Sequence, residues 1–186
     1  MNHLIITTHF NPKSFTHAVS ETVIQKSKAD GETVEHIDLY ADKFDPVLGG
    51  QDIDWMYQGG QIPENIKAYQ EKIKNADKIT IVYPIWWAQM PAMLKGFIDR
   101  VFTMGFAFLY DENGPKPLLP GKKAHIITCS GSPNEYYEAN GMHTAILKTI
   151  DQGVFEFCGL ETTHTFFGNV MNGTDELRKG YLESLK

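Results

Sequence analysis

The chain has 186 residues, 42% hydrophobic and 22% charged, with 17 Lys+Arg against 23 Asp+Glu and a formal charge of −6. A chain this long buries about 70% of its unfolded surface, so residues 1–186 are expected to form one soluble domain without a disulfide framework or structural metal. The acidic balance argues against a binder of nucleic-acid backbones.

Cys129 and Cys158 stand far apart, with no C-x-x-C and no histidine at ligand spacing, so a reduced, cytoplasmic chain is expected. Met1-Asn2-His3 is no basic leader, and the uncharged run Ile79 to Leu94 is too short and too rich in proline to span a membrane.

In chain order, Leu4 to Thr8 reads as a buried strand. Phe15, Ala18, Val19, Thr22 and Val23 then form a helical stripe, with Ser14 as N-cap and Asp30-Gly31 as stop. Thr33 to Leu39 is a second strand. Tyr40 to Pro63 has no clear period and is expected to be a long loop of functional kind. A helix over Asn65 to Asn75 precedes a third strand, Lys78 to Tyr83. A helix with Pro91 in its first turn carries the stripe Leu94, Phe97, Ile98, Val101 and Phe102. Gly105 to Leu119 reads as a loop, Ala124 to Cys129 as the fourth strand and Met142 to Phe157 as a helix. Thr162 to Phe167 is the fifth strand and Asp175 to Leu185 the last helix. Five strands alternating with helices predict an α/β doubly wound parallel sheet covered on both faces, with ligands at the carboxyl ends of the strands.

Three loops lie there. The first, Thr7 to His17, has neither a P-loop nor a G-x-G-x-x-G pattern, but helix amides, the hydroxyls of Ser14 and Thr16, and the imidazoles of His9 and His17 suit a phosphate. Equally, Ser14 is only an N-cap and the histidines face solvent. The second loop, Tyr83-Pro84-Ile85-Trp86-Trp87-Ala88-Gln89-Met90-Pro91, belongs to a segment, Tyr83 to Tyr110, that holds eight of the chain's 22 aromatic residues. Its tryptophans suit a flat apolar ligand, or else a core or dimer cluster. The third, Thr128-Cys129-Ser130-Gly131-Ser132-Pro133, leads to Tyr136 and His143. Read alone, these are a surface tyrosine and a helix-capping histidine.

The run from Tyr83 to Phe102, with Gly105-Phe106-Ala107-Phe108-Leu109-Tyr110, His9, Ser14-Phe15 and Phe157-Cys158-Gly159, closely resembles the NAD(P)H:quinone oxidoreductases, the DT-diaphorase-like flavoproteins. That resemblance implies a flavodoxin-like fold, a noncovalent flavin and a homodimer with sites built from both subunits. It implies that His9, Ser14, Phe15, Thr16 and His17 surround the flavin phosphate. Pro84, Ile85, Trp87 and Ala88 would line the isoalloxazine, with Ser130 and Gly131 opposite. Phe108 and Tyr110 would reach the partner's quinone pocket, and Tyr136 and His143 would be the catalytic pair. Three departures bear on substrate preference: Ala88 stands where animal members carry an aromatic, Phe108 replaces a tyrosine, and Cys129-Ser130 replaces Thr-Gly.

The implied reaction moves hydride from NAD(P)H through the flavin to a quinone or similar acceptor. Because the chain stops soon after its fifth strand, FMN is expected, with FAD the alternative. The rival functions are an electron-carrying flavodoxin and an ancillary subunit of a potassium-efflux system.

Overall fold

A computed structural model describes residues 1–186. Strand β1 (Asn2–Thr7) leads to α1 (Phe15–Ala29) and β2 (Thr33–Asp38). Two helices, α2 (Gly50–Tyr57) and α3 (Glu64–Asn75), precede β3 (Lys78–Pro84) and α4 (Ala92–Val101). A hairpin of β4 (Phe108–Asp111) and β5 (Gly114–Pro117) is followed by β6 (Lys123–Cys129). Short helices α5 (Asn134–Ala139) and α6 (Met142–Ile146) run into a π-helical segment, Leu147–Glu156, before β7 (Glu161–Phe167) and α7 (Asp175–Glu183).

The main sheet is entirely parallel, in the order β2-β1-β3-β6-β7. The chain leaves β1 for one side and returns to its other side as β3, so a crevice opens above the carboxyl ends of these two strands. Alternation along the strands divides the core. Leu4, Ile6, Ile79, Ile81, Tyr83 and Ile126 face α3, α4 and the π-helical segment in a cluster of 27 buried residues. On the other face, Ile5, Val82 and Ile127 meet Val19, Val23 and Ile24 of α1.

Four segments depart from the sequence expectation. Tyr40 to Pro63 contains α2, which shows no apolar period because a buried carboxylate, Asp52, docks it on Arg100 of α4. Gly105 to Leu119 contains the β4–β5 hairpin, masked by Pro115 and Pro117 in its second strand. Helix α5 buries no residue and therefore leaves no stripe. Beyond α6 the backbone winds more loosely, with Phe157 N–H donating to Gln152 O and Leu160 N–H to Phe155 O, both five residues back. Close approach also explains Gly96 on α4: a Cβ there would stand 2.5 Å from Pro46 Cβ and 2.6 Å from its Cα.

Buried polar groups give the fold an acid limit. His3 is 2% exposed, with Nδ1 2.6 Å from Ser27 Oγ and Nε2 2.8 Å from Thr80 Oγ1. Burial and the Lys78 charge lower its pKa from 6.5 to about 4, against the pull of Glu32. Above pH 6.5 neither state binds this proton. As the pH falls from 6.5 to about 4 the unfolded chain takes it up and the folded chain does not, so stability is lost. Urea midpoints should fall across that window by the equivalent of up to about 3 kcal/mol, and His3→Gln should flatten the slope.

Candidate functional site

The cleft at the β1/β3 switch point has a volume of about 260 Å³ and is lined by His9, Ser14, Phe15, Thr16, Pro84, Ile85, Trp86, Cys129, Gly131, Val170 and Met171. Its first wall is the start of α1. Ser14 caps the helix, its Oγ accepting from His17 N–H at 3.2 Å. The amides of Phe15 and Thr16 donate to no group of the protein, as expected in a first turn, and carry the helix's partial positive charge. His9 Nδ1 accepts from Asn11 N–H at 3.0 Å, so the neutral ring keeps its proton on Nε2. Burial holds the His9 pKa below its usual value.

His17 departs from the expectation. Its amide is taken by Ser14, its Nδ1 lies 3.0 Å from Ser14 Oγ, and its Nε2 lies 3.0 Å from Asp38 Oδ2. With every polar group engaged, it turns to the far side of the loop and lines no part of the cleft.

The second wall is the loop after β3. Trp86 and Gln89 exchange N–H to O bonds of 2.9 Å in both directions, closing a two-residue turn whose tip is Trp87 and Ala88, at φ +51° and +58°. Trp86, one residue earlier than expected, faces the cleft; Trp87 is 97% exposed, and neither it nor Ala88 lines the wall. A tight turn sends its two tip side chains away from the strands it joins, a geometry that the sequence's adjacent tryptophans could not disclose. Left-handed backbone costs a non-glycine residue about 1–2 kcal/mol, partly offset by the chain entropy a glycine loses. Ala88→Gly should therefore raise stability by about 0.5 kcal/mol, read as a higher melting temperature.

The third wall is the loop after β6. Gly131 lines the cleft, with Met171 Sδ only 3.3 Å from where a Cβ would stand. Ser130 does not: its hydroxyl donates to Ser132 O at 2.6 Å and its N–H to Phe167 O at 2.9 Å, so it braces the loop. Cys129 lies below, its thiol pushed up to about 12 by burial while a bond with Thr16 opposes, and is therefore no nucleophile. Val170 and Met171 complete the wall from beyond β7, where the sequence offers no motif to mark them.

Tyr136 and His143 stand outside this cleft on α5 and α6. Tyr136 is 61% exposed, and no hydrogen bond joins it to His143. The Tyr137 ring lies between them, 6.2 Å from Tyr136 and 5.7 Å from His143. His143 stacks on Phe166 at 3.9 Å. On the β4–β5 hairpin, Phe108 packs edge-on against Phe157 of its own chain at 5.2 Å, while Tyr110 is 62% exposed.

A larger cavity of about 590 Å³ lies between α1 and α7 at the amino ends of the strands, floored by His3, Thr80, His125 and Thr163. It has no aromatic wall and lies away from the switch point. The 260 Å³ cleft, by contrast, joins two free helix amides to walls of Phe15, Pro84, Ile85 and Trp86, with a glycine opposite. That set fits a phosphate tethered to a flat ring.

The flavodoxin-like fold family profile matches residues 1–185. The chain belongs to this family. Within the flavodoxin-like family it is 35% identical to an uncharacterized NAD(P)H oxidoreductase of Haemophilus influenzae, over 98% of this chain and 91% of that protein. It is 32% identical to NAD(P)H dehydrogenase [quinone] 1 of Cavia porcellus, over 85% of this chain but 64% of that longer protein. The solved NAD(P)H:quinone oxidoreductase of Methanothermobacter marburgensis superposes with a TM-score of 0.88 at 27% identity, covering 100% of this chain and 93% of that one. No helix is long and apolar enough to cross a membrane.

Proposed function

We propose that residues 1–186 form a single flavin-binding domain that works as a cytoplasmic homodimer, transferring hydride from NAD(P)H to quinones or similar flat acceptors. The relatives' names give the reaction class. The observation that carries the reading is the switch-point cleft, with the unbonded amides of Phe15 and Thr16 at one end and the Trp86 wall at the other. FMN is the expected flavin.

A flavin held there supplies two-electron hydride chemistry between NAD(P)H and the acceptor. The Phe15 and Thr16 amides, with His9 Nε2–H and Ser14, would hold its phosphate. Trp86, Pro84 and Ile85 would exclude water from the cleft, and Gly131, without a side chain, would leave room for close approach. Tyr136, through its Oη–H, would be the donor near such a ring, and His143 would hold or return the proton. Glu138 Oε1, 3.9 Å from His143 Nδ1, favours a proton there and leaves Nε2 as acceptor. The exposure of Tyr110 on the hairpin and of Trp87 at the turn tip supports a role for both in contact with a second subunit.

Full-length protein stripped of flavin and titrated with FMN should quench flavin fluorescence at one equivalent per chain, and under anaerobic conditions the complex should oxidise more than one equivalent of NADH or NADPH only with a quinone present. Loss of FMN binding in Trp86→Ala supports the cleft as the site. A chain that binds neither FMN nor FAD ends the proposal.

A further inference from the structure

Beneath His143, polar side chains interrupt the apolar packing of the core. Asp151, on the π-helical segment, and His164, in the middle of β7, are both buried. His164 Nδ1 lies 2.9 and 3.1 Å from the two Asp151 carboxylate oxygens, and Nε2 lies 3.2 Å from the hydroxyl of Thr128 on β6. The imidazole is thus held at both edges and cannot turn. Its face stacks on Phe166 at 4.0 Å and 12°, and Phe166 stacks on His143 at 3.9 Å and 24°. Two rings nearly parallel to a third at these distances cannot share one of its faces, so Phe166 lies between the histidines.

Packing alone does not call for this arrangement. Leucines of similar volume would fill the space without the desolvation that a buried carboxylate and imidazole incur. What an aspartate–histidine–threonine chain adds is direction: its bonds fix one rotation of one ring, and stacking passes that rotation on. The pair lines no part of the cleft, so any effect on the reaction passes through His143.

We propose that Asp151 and His164 are positioning residues that hold the His143 imidazole at a fixed height and angle through the Phe166 ring. The proposal rests on the reading that His143 serves the flavin. The ionisable groups around the stack are Glu138 and Tyr137 from α5, Asp151 from the π-helical segment, Tyr83 from β3 and His125 from β6. Burial, and then His164, lower the His143 pKa, while Glu138 opposes them. The Tyr83 hydroxyl, buried without a partner, stays protonated because of burial and the Asp151 charge.

The test uses flavin-loaded full-length protein and proton NMR of the His143 ring, assigned by its loss in His143→Asn. In the wild type the carbon-bound ring protons should be displaced upfield by the Phe166 face, with a titration midpoint below 6.5. The variant D151L/H164L replaces both polar partners with apolar groups, a change usually tolerated by the fold. It should abolish the displacement, raise the midpoint and lower kcat with NADH and menadione about 10-fold at nearly constant KM. Asp151→Asn, which keeps an acceptor for His164 Nδ1–H, should restore most of the displacement. Should the double variant fail to fold, His164→Gln, which keeps a donor to Asp151 but loses the flat ring, serves in its place. Unchanged His143 shifts and midpoint in a folded variant would overturn the proposal. A displaced His143 with unchanged quinone turnover supports the positioning and overturns instead the role given to His143.

Discussion

Arg100→Ala is expected to cost about 3–5 kcal/mol, because it leaves a buried carboxylate without its counter-charge. Arg100 Nε and Nη2 donate to Asp52 Oδ1 at 3.1 and 2.9 Å, and Nη1 donates to Asp45 O at 2.6 Å. Asp52 also accepts from Trp55 Nε1–H at 3.3 Å and Gly49 N–H at 2.8 Å, and the guanidinium lies 5.7 Å from the Phe44 ring centre. One cation therefore ties the segment from Phe44 to Trp55 onto α4, the helix that follows the Trp86 turn. Burial pushes the Asp52 carboxyl up, but the Gly49, Arg100 and Trp55 bonds outweigh it and hold the pKa below the usual value. The folded state thus binds this proton less readily than the unfolded one. The contribution is present above the ordinary carboxylate range and is lost as the pH falls through the lowered value. Urea unfolding at neutral pH should show the loss, and Asp52→Leu/Arg100→Met should recover most of it, since replacing both charges removes the stranded one.

His143→Ala should lower quinone-dependent turnover on the order of 10²- to 10⁴-fold, the range a positioned proton-transfer group contributes. It should leave FMN affinity nearly unchanged, because His143 lies outside the cleft wall. Its stack on Phe166 and its contact with Tyr137 fix a ring whose pKa burial has lowered. Trp86→Ala should show the opposite pattern, weaker flavin binding with less effect on turnover at saturation. Equilibrium titration and steady-state rates on the two variants separate binding from proton transfer.

The five parallel strands were legible because each is a short apolar run bounded by turn residues, and their alternation with helices pointed to a parallel sheet, while the order β2-β1-β3-β6-β7 came from the structure. Helix α2 was not, because an ion pair with a residue 48 positions later holds it, and such a pair leaves no local period. The Ser14 N-cap was legible in the first loop from capping chemistry, whereas the contact of His17 with Asp38 was not, because Asp38 lies on another strand. Position in the second loop fixed the cleft, but which tryptophan faces it depends on two left-handed residues that no side-chain pattern announces. Val170, Met171 and the Asp151–His164 pair come from segments without a motif, brought together only by the sheet.

The most direct test is anaerobic stopped-flow absorbance of FMN-reconstituted protein mixed with NADH or NADPH, then with a quinone. The visible flavin band should bleach in a single fast phase and return on addition of one equivalent of quinone. A protein that binds FMN but is not bleached by either nicotinamide would contradict the proposed hydride transfer.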